Sequence, residues 1–192
     1  MGHSRIEKGK THERIVAIAA KRFREKGLAG IGIADIMKEA GVTVGGFYKH
    51  FGSRDDLVAE AVGSALGSWR RRMEAAAAAG GPAVTYERVV DTYLSEAHCN
   101  NPGLGCAVSA LAGEIARSGE RARALVGEQI RNSIQWIADL IGGEDKDSAR
   151  AKATLAFSAM VGAVVLARAV PDEKFSREIP RTVGDLLKEL HS

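Results

Sequence analysis

The sequence contains very little cysteine. Of its 192 residues, only Cys99 and Cys106 are cysteines. Two cysteines cannot form a disulfide framework, and a chain of this length can bury a core without one, so the composition fits a reducing compartment. Hydrophobic residues make up 45% of the chain and charged residues 27%, which is ordinary for a globular protein. We therefore expect a cytoplasmic protein.

Long apolar runs are also absent. Residues 1–14 are polar and lack the apolar centre of a secretory signal. The longest apolar run, residues 155–167, contains Ser158 and Gly162 and is shorter than the roughly 17–25 residues that cross a bilayer. The run predicts a helix that is buried on all sides, and no membrane association is expected.

No stretch of the sequence has a convincing strand pattern, whereas helical periodicity runs through most of it. The fold class is therefore expected to be all-α, with about nine helices. Residues 1–10 are expected to form a flexible basic arm, Thr11 caps the first helix, and Gly27 ends it. The fourth helix is expected to stop at Gly80-Gly81-Pro82. The start of the last helix is uncertain because Pro180 is tolerated only in a first turn. The other helices are predicted at about 33–40, 44–50, from Ser53, 85–98, 104–117, 120–141, 147–169 and 176–190.

Catalytic signatures are not found. The sequence has no phosphate-binding glycine loop, no nucleophile elbow and no metal-spaced His/Glu pair. His98, Cys99 and Cys106 do not have the spacing of a zinc site, and no ordered third partner is evident for a thiol nucleophile. We expect no enzyme activity, no metal and no cofactor.

Positive charge is concentrated in the N-terminal quarter. Residues 1–54 hold 11 Lys or Arg against 5 Asp or Glu, whereas residues 55–192 hold 16 against 19. A basic quarter on a mildly acidic remainder suggests a local anion-binding module. A merely solvated basic face would have the same composition, so charge alone does not decide.

The most informative stretch is residues 33–51, where two short predicted helices flank a glycine turn. The turn Gly41-Val42-Thr43 sets the second helix across the first, as in a helix-turn-helix. The second helix of such a pair can lie in the major groove of DNA. The apolar residues of the stretch are expected to pack inward, namely Ile33, Ile36, Met37, Ala40, Val42, Phe47 and Phe51.

The remaining residues of the second helix are expected to face outward: Thr43, Val44, Gly45, Gly46, Tyr48, Lys49 and His50. Thr43 can cap a helix whose first N–H groups point at phosphate, and Tyr48 and Lys49 can bind backbone oxygens. Each of the two glycines costs a helix about 1 kcal/mol relative to alanine. Close approach to DNA would compensate for that cost, although the glycines could also simply loosen a short helix.

Several motifs within residues 11–62 resemble the N-terminal domain of the TetR family of repressors, and they occur in order at the right separations. The resemblance implies a DNA-binding domain over residues 1–52, an effector-binding and dimerisation bundle over residues 53–192, and a homodimer on a palindromic operator. The motifs are Thr11-His-Glu-Arg-Ile-Val, Phe23-Arg-Glu-Lys-Gly27, Ile33-Ala-Asp-Ile, Ala40-Gly-Val-Thr-Val-Gly-Gly-Phe-Tyr-Lys-His-Phe51 and Ser53-Arg-Asp-Asp-Leu57.

The same resemblance suggests which residues meet DNA. Two positions depart from the family pattern, since Met37 stands where a small alanine is usual and Gly46 where a hydroxyl or alanine is common. Without a side chain, Gly46 removes one possible base contact, which leaves the operator sequence open. The expected DNA-contacting residues are Thr43, Val44, Gly45, Gly46, Phe47, Tyr48, Lys49, His50, Arg54, Arg14 and Lys10.

After about residue 62 the chain is similar to the family only in layout. The last two helices occupy the usual dimer position, and small residues such as Ala156 and Gly162 allow close helix approach. A small-molecule effector is expected to favour a state in which the two recognition helices are wrongly spaced. Its pocket is predicted around Tyr93, Cys106, Leu111, Trp136, Phe157 and Met160, although most of these would look the same as ordinary core.

Two other functions stay open at this point. Cys106, near a helix start, could react with oxidants or electrophiles on the same DNA-binding scaffold, or it could be a small buried hydrophobe with Cys99 as a bystander. The chain could also be a helical interaction protein without a DNA function. The leading hypothesis is a repressor that a small molecule releases from DNA, and activation in place of repression stays possible.

Overall fold

The computed structural model describes residues 2–78 and 85–190, and these ranges contain helices and no strand. The all-α prediction is confirmed, whereas the predicted stop at Gly80-Gly81-Pro82 lies outside the described residues. The α-helices are α1 (Gly2–Lys26), α2 (Ile33–Glu39), α3 (Arg54–Ala78), α4 (Tyr86–Tyr93), α5 (Glu96–Cys99), α6 (Ala107–Ile115), α7 (Glu120–Ile141), α8 (Lys146–Ala169) and α9 (Glu173–Glu189), and two 3₁₀ turns cover Val44–Lys49 and Pro102–Leu104.

Helix α1 begins earlier than predicted. It starts at Gly2 instead of Thr11, so the segment expected to be a flexible arm is helical. Residues 6–10 are exposed, so side-chain packing does not hold this part. Extending an existing helix avoids the cost of nucleation, which explains why polar residues without a proline continue it. At the other end Gly27 has a φ of +78° and closes the helix as predicted.

Helix α2 and the turn after it have the predicted helix-turn-helix form. Gly41 has a φ of +69°, and the N–H of Val42 donates to the carbonyl of Met37 at 3.0 Å. The next element, expected as a helix over 44–50, is the 3₁₀ turn Val44–Lys49. A segment this short with two adjacent glycines is a weak α-helix former, which accounts for the tighter winding.

The helix expected over residues 85–98 is divided into α4 and α5. The break is at Ser95, whose backbone is extended and whose hydroxyl accepts a hydrogen bond from the N–H of His98 at 3.3 Å. The same hydroxyl donates to the carbonyl of Thr92 at 2.9 Å. Ser95 therefore terminates one helix and caps the next.

The sixth and ninth predicted helices also begin elsewhere. Helix α6 begins later than expected because Cys106 is its N-cap. Helix α9 begins earlier, at Glu173, because the carboxylate of Asp172 accepts the N–H of Phe175 at 2.8 Å. Pro180 therefore lies inside the helix and not in its first turn, which corrects the sequence-based boundary. The ring of Pro180 is buried, so packing holds α9 where the proline removes a hydrogen bond.

One continuous core joins the N-terminal helices to the C-terminal ones. Buried residues from Ile15 on α1 to Leu187 on α9 form a single cluster. Helix α8 packs against both α7 and α9 and turns Ala153, Ala156 and Ala163 inward. Within the described residues, α8 is the only helix long and apolar enough to cross a membrane. The prediction that it is buried on all sides is wrong, because one face packs on α7 and α9 whereas Leu155, Val165 and Leu166 are exposed.

Two arginines of the N-terminal half bind the loop that joins α5 to α6. We call residues 98–106 the junction loop. Arg24 of α1 is buried and donates through Nη1 to the carbonyl of Gly105 at 3.0 Å. Arg72 of α3 donates to the carbonyl of Leu104. Burial lowers the pKa of Arg24 to about 10, so the guanidinium still carries its charge at neutral pH.

The other side of the junction loop is held by Arg168 of α8. Its Nη2 donates to the carbonyl of His98 at 2.8 Å and its Nε to that of Cys99 at 3.0 Å. The ring of His98 bridges the loop, because Nδ1 donates to the Tyr93 carbonyl at 2.5 Å and Nε2 accepts the N–H of Cys106 at 3.0 Å. This arrangement requires a neutral ring, and burial lowers the pKa of His98 to about 4.

We expect Gly105→Ala to destabilise the fold. A Cβ at Gly105 would lie 2.7 Å from Cδ2 of His98 and 3.0 Å from Nη2 of Arg168, and both groups are held by hydrogen bonds. Urea denaturation should give a free energy of unfolding lower by about 1–3 kcal/mol. Gly113→Ala on α6 is the matched control, because outside its own helix backbone nothing lies within 4 Å of its Cβ position. Equal stability of the two variants would contradict a rigid junction loop.

We also expect the free energy of unfolding to fall as pH falls from 7 to 5. The folded pKa of His98, about 4, lies below the unfolded value near 6.5, so the unfolded chain binds the proton first. The stabilisation from the neutral ring is complete above about pH 6.5, and about 2 kcal/mol of it is lost by pH 5. The free energy of unfolding, measured by urea denaturation at pH 7 and at pH 5, should fall by about 2 kcal/mol more in the wild type than in His98→Asn. The same pH dependence in both proteins would count against this role of His98.

Candidate nucleic-acid interface and effector cavity

The second element of the helix-turn-helix, Val44–Lys49, presents a ridge of exposed residues, and we call it the recognition segment. Tyr48 is 79% exposed and Val44 is 52% exposed. Such a surface offers a phenol, an ammonium group, a hydroxyl and bare backbone to a partner, which are the groups that contact DNA phosphates and base edges. Also exposed are Thr43, Gly45 and Lys49.

The inner side of the recognition segment is anchored by aromatic packing. Phe47 is 2% exposed, its ring stacks on Phe51 at 5.4 Å, and it meets the ring of Tyr48 edge-on at 5.3 Å. The inward packing expected for both phenylalanines is therefore present. The side chain of Phe47 is not available to a ligand outside, so its inclusion among the DNA-contacting residues is corrected to that of an anchor.

The two glycines of the recognition segment are not required by packing within the protein. A Cβ at Gly45 would meet no atom within 4 Å. A Cβ at Gly46 would lie 3.7 Å from Oγ1 of Thr43 and 3.9 Å from Cε of Met37, which are ordinary contact distances. A larger residue would fit at both positions, so the fold itself does not explain the glycines.

His50 is half-buried just after the recognition segment. Its Nδ1 is buried and has no hydrogen-bond partner among the described residues. Burial, followed by the neighbouring His12 and Lys8, lowers the pKa of His50, so its ring is neutral at neutral pH. His12 stacks on Phe51 at 4.7 Å and contacts Oε2 of Glu60 at 2.7 Å, which ties α1 to α3 directly behind the recognition segment.

Of the three cations expected to add phosphate contacts, two are free on the surface. Lys10 and Arg14 are exposed on α1. Arg54 differs, because its Nη2 donates to the carbonyl of Leu28 and its guanidinium lies 6.0 Å from the centre of the Phe23 ring. Arg54 therefore fixes the loop between α1 and α2, and only its remaining N–H groups could meet a phosphate.

A small cavity in the C-terminal bundle collects five of the six residues predicted for an effector pocket, namely Tyr93, Cys106, Trp136, Phe157 and Met160. Leu111 is buried but does not line the cavity. The cavity measures about 30 Å³, which is room for one or two water molecules. Sequence reasoning missed the other lining residues because their helical spacing marks them only as core: Leu66, Trp69, Met73, Val89, Val108, Gln129, Ser133 and Ile137.

The cavity has few polar groups and no charged lining residue. Nε2 of Gln129 donates to Oγ of Ser133 at 3.0 Å, so these two side chains partly satisfy each other. Tyr93 is 3% exposed, and its hydroxyl has no hydrogen-bond partner among the described residues. Burial raises the pKa of Tyr93 well above its usual value, so the hydroxyl keeps its proton and is a hydrogen-bond donor.

The two cysteines lie in different surroundings. Cys106 is buried at the N-cap of α6 and lines the cavity. Cys99 is half-buried, and burial raises the pKa of its thiol. In the ranges 2–78 and 85–190, no three residues among His, Cys, Asp and Glu are grouped so that they could hold a metal ion.

The end of α1 is tied to the helix that begins at the cavity. Oε2 of Glu114 on α6 accepts the N–H of Leu28 at 2.8 Å and that of Ala29 at 3.4 Å. Arg24 adds its bond to the carbonyl of Gly105, just before α6. A displacement of α6 would therefore act directly on the helix-turn-helix region.

Comparison with known proteins gives the same assignment for sequence and fold. Residues 15–61 match the family model described as bacterial regulatory proteins, tetR family. The chain is 26% identical over 184 residues to the HTH-type transcriptional regulator LmrA of Bacillus subtilis (strain 168). The alignment covers 94% of this chain and 98% of LmrA.

Solved structures resemble nearly the whole chain. A TetR-family transcriptional regulator from Cytophaga hutchinsonii superposes with a TM-score of 0.79 at 21% identity, over 95% of this chain and 96% of that one. A TetR transcriptional regulator from Chloroflexus aurantiacus J-10-FL gives a TM-score of 0.78 at 25% identity, with the same coverage. Residues 15–61 therefore match the tetR family of bacterial regulatory proteins, and the chain as a whole is similar in sequence to a transcriptional regulator and in fold to TetR-family regulators.

Proposed function

We propose that this regulator is a cytoplasmic repressor that binds a palindromic operator as a homodimer and is released when a small molecule enters the cavity. Residues 1–52 form the DNA-binding domain and residues 53–192 the sensing and dimerisation domain. The observation that supports DNA binding most directly is the recognition segment, in which buried Phe47 anchors a turn whose Tyr48 and Lys49 face solvent.

The contacts to DNA divide into two groups. The N-terminal part of the recognition segment meets base edges and nearby phosphates, because bare backbone at Gly45 allows close approach. The C-terminal part, with cations of α1 beside it, holds the phosphate backbone. The first group is Thr43, Val44, Gly45 and Gly46, and the second is Tyr48, Lys49, His50, Arg14 and Lys10.

The dimer forms through α8 and α9. Large apolar side chains remain exposed on these two neighbouring helices and at the end of α9, which is unusual for a surface that faces only water. A Cβ at Gly162 would meet nothing within 4 Å, so a partner helix can approach α8 closely there. The exposed side chains are Leu155, Val165, Leu166, Phe175, Leu186 and Leu190.

Release follows from the connection between the cavity and α1. A ligand larger than the present cavity must displace lining residues, including Cys106 at the start of α6. Movement of α6 changes the contacts of Glu114 with Leu28 and of Arg24 with Gly105, so α1 turns relative to the bundle. In the dimer this alters the spacing of the two recognition segments.

We expect DNA binding to depend on the exposed face of the recognition segment. In a gel shift with the DNA upstream of its own gene, the wild type should bind, and Tyr48→Ala and Lys49→Ala should each weaken binding at least about tenfold. The slope of log K against log salt concentration should fall by about 1 for each lysine that no longer pairs with a phosphate, hence by about 2 for a dimer of Lys49→Ala. Unchanged binding by both variants would rule out this surface as the one that meets DNA.

A matched pair of variants separates DNA binding from dimerisation in the same assay. Val44→Glu and Leu166→Glu each place a carboxylate on an exposed apolar position, one on the recognition segment and one on α8. Light scattering should show a dimer for Val44→Glu and a monomer for Leu166→Glu, while both lose the gel shift. A dimeric Leu166→Glu would show that α8 is not at the interface.

A second candidate function keeps the DNA-binding domain and replaces ligand binding by reaction at Cys106. Cys106 lines the cavity at a helix N-cap, with the buried cation Arg24 and the half-buried cation Arg168 near it. On this alternative, N-ethylmaleimide should release wild-type protein from its operator but leave Cys106→Ser bound, with Cys99→Ser as the control that still responds. Equal release of wild type and Cys106→Ser would dismiss the thiol as sensor.

A further inference from the structure

The cavity of the C-terminal bundle has an unusual composition for so small a space. Both tryptophans of the chain, Trp69 and Trp136, line it together with Tyr93 and Phe157. No aspartate, glutamate, lysine, arginine or histidine is among its lining residues. Aromatic walls bind flat aromatic faces through offset stacking and edge contacts, and an ion would lose its hydration there without gaining an opposite charge.

One polar atom in this apolar wall has no partner. The hydroxyl of Tyr93 is buried and forms no hydrogen bond within the described residues, and leaving such a donor unpaired costs stability. The cation Arg168 does not line the cavity, because its guanidinium donates to the carbonyls of His98 and Cys99 in the junction loop. The free donor is therefore a neutral hydroxyl that complements an acceptor oxygen, and the absence of charged lining residues favours an uncharged acceptor.

The lining of the cavity includes flexible side chains. Two of its walls are Met73 and Met160, whose unbranched side chains change rotamer easily and tolerate varied neighbours. The lining also includes the Gln129–Ser133 pair, which is linked by a single side-chain hydrogen bond. A ring system larger than the present 30 Å³ can enter only if lining side chains move, and the two methionines are the most adaptable of them.

We propose that this cavity binds an uncharged aromatic molecule of about two fused rings that carries a carbonyl or ether oxygen, which accepts the hydrogen bond of the Tyr93 hydroxyl. The inference rests on the proposed effector-controlled function and specifies its ligand class. The aromatic faces of Trp69, Trp136 and Phe157 supply most of the contact area, and Tyr93 sets the orientation.

Three probes that share the naphthalene ring system test the assignment on the full-length protein without DNA. They are 2-acetylnaphthalene, which is neutral with an acceptor, naphthalene, which lacks the acceptor, and 2-naphthoate, which is an anion. Isothermal titration calorimetry should show binding of one 2-acetylnaphthalene per chain, weaker binding of naphthalene, and no binding of 2-naphthoate. Tryptophan fluorescence should change on binding, because both tryptophans lie in the cavity wall.

Tyr93→Phe removes only the unpaired hydroxyl and should not lower thermal stability. It should weaken 2-acetylnaphthalene about three- to tenfold and leave naphthalene unchanged. Tyr48→Phe makes the same chemical change on the exposed recognition segment and should leave all three affinities unchanged. The assignment is overturned if 2-naphthoate binds as tightly as the ketone, if Tyr93→Phe binds the ketone as the wild type does, or if neither neutral probe binds up to its solubility.

A parallel gel shift keeps this inference distinguishable from the proposed function. Failure of the unliganded protein to bind operator DNA would overturn the proposed function and leave the calorimetric result intact. Conversely, a protein that binds DNA but none of the neutral probes would overturn the ligand assignment alone. If the ketone binds and the DNA complex persists at saturation, the ligand class stands and release through this cavity is excluded.

Discussion

The structure depends on the way in which the junction loop is held between the two ends of the chain. Its carbonyl groups accept hydrogen bonds from Arg24 of α1, Arg72 of α3 and Arg168 of α8. Two of these guanidinium groups, those of Arg24 and Arg168, are largely shielded from water, and burial lowers the pKa of both. The junction loop itself contains no aspartate or glutamate. Buried cations held by carbonyls need those carbonyls in fixed positions, because each broken hydrogen bond leaves charge without solvation.

This requirement makes the loop a rigid connector between α1, α3 and α8. The His98 ring completes it by joining the end of α4 to the start of α6, with one nitrogen as donor and the other as acceptor. Because Cys106 begins α6 and also lines the cavity, the loop and the cavity share a wall. On the proposed function, a ligand that displaces Cys106 would therefore also move groups that hold α1.

The DNA-binding part could be predicted from sequence far better than the sensing part. The spacing of Phe47 and Phe51 around exposed Tyr48 is a local pattern, and the structure reproduces it. Helix α7 has the bounds that the sequence predicts, because glycines stand on both sides of a periodic run. The division of the predicted helix 85–98 at Ser95 could not be predicted, because the apolar spacing continues through this residue. Ser95 acts as a cap because its backbone is extended, and the periodicity of the sequence does not reveal that conformation.

The cavity illustrates the other limit. Its aromatic members on α4, α7 and α8 can be found because large aromatic residues stand out, whereas Leu66 and Met73 of α3 look like ordinary core positions. Their convergence is tertiary, so no local pattern encodes it. The two departures from the family pattern show the same effect, since Met37 and Gly46 are nine positions apart in sequence and adjacent in space. The end of the Met37 side chain would lie at an ordinary contact distance, 3.9 Å, from a Cβ at Gly46, so Met37 does not exclude a side chain there.

The energetic demand on an effector follows from this architecture. Moving a two-state equilibrium from 1:99 to 99:1 requires a difference in binding free energy of about 5.5 kcal/mol between the two states. In a homodimer two cavities share that demand, about 2.7 kcal/mol each. Burial of one aromatic side chain's worth of apolar surface supplies about 1.5–3 kcal/mol, so a two-ring ligand filling an opened cavity is of sufficient size. On the proposed function, a cavity of about 30 Å³ would suit switching, because only an enlarged state would offer a ligand that surface.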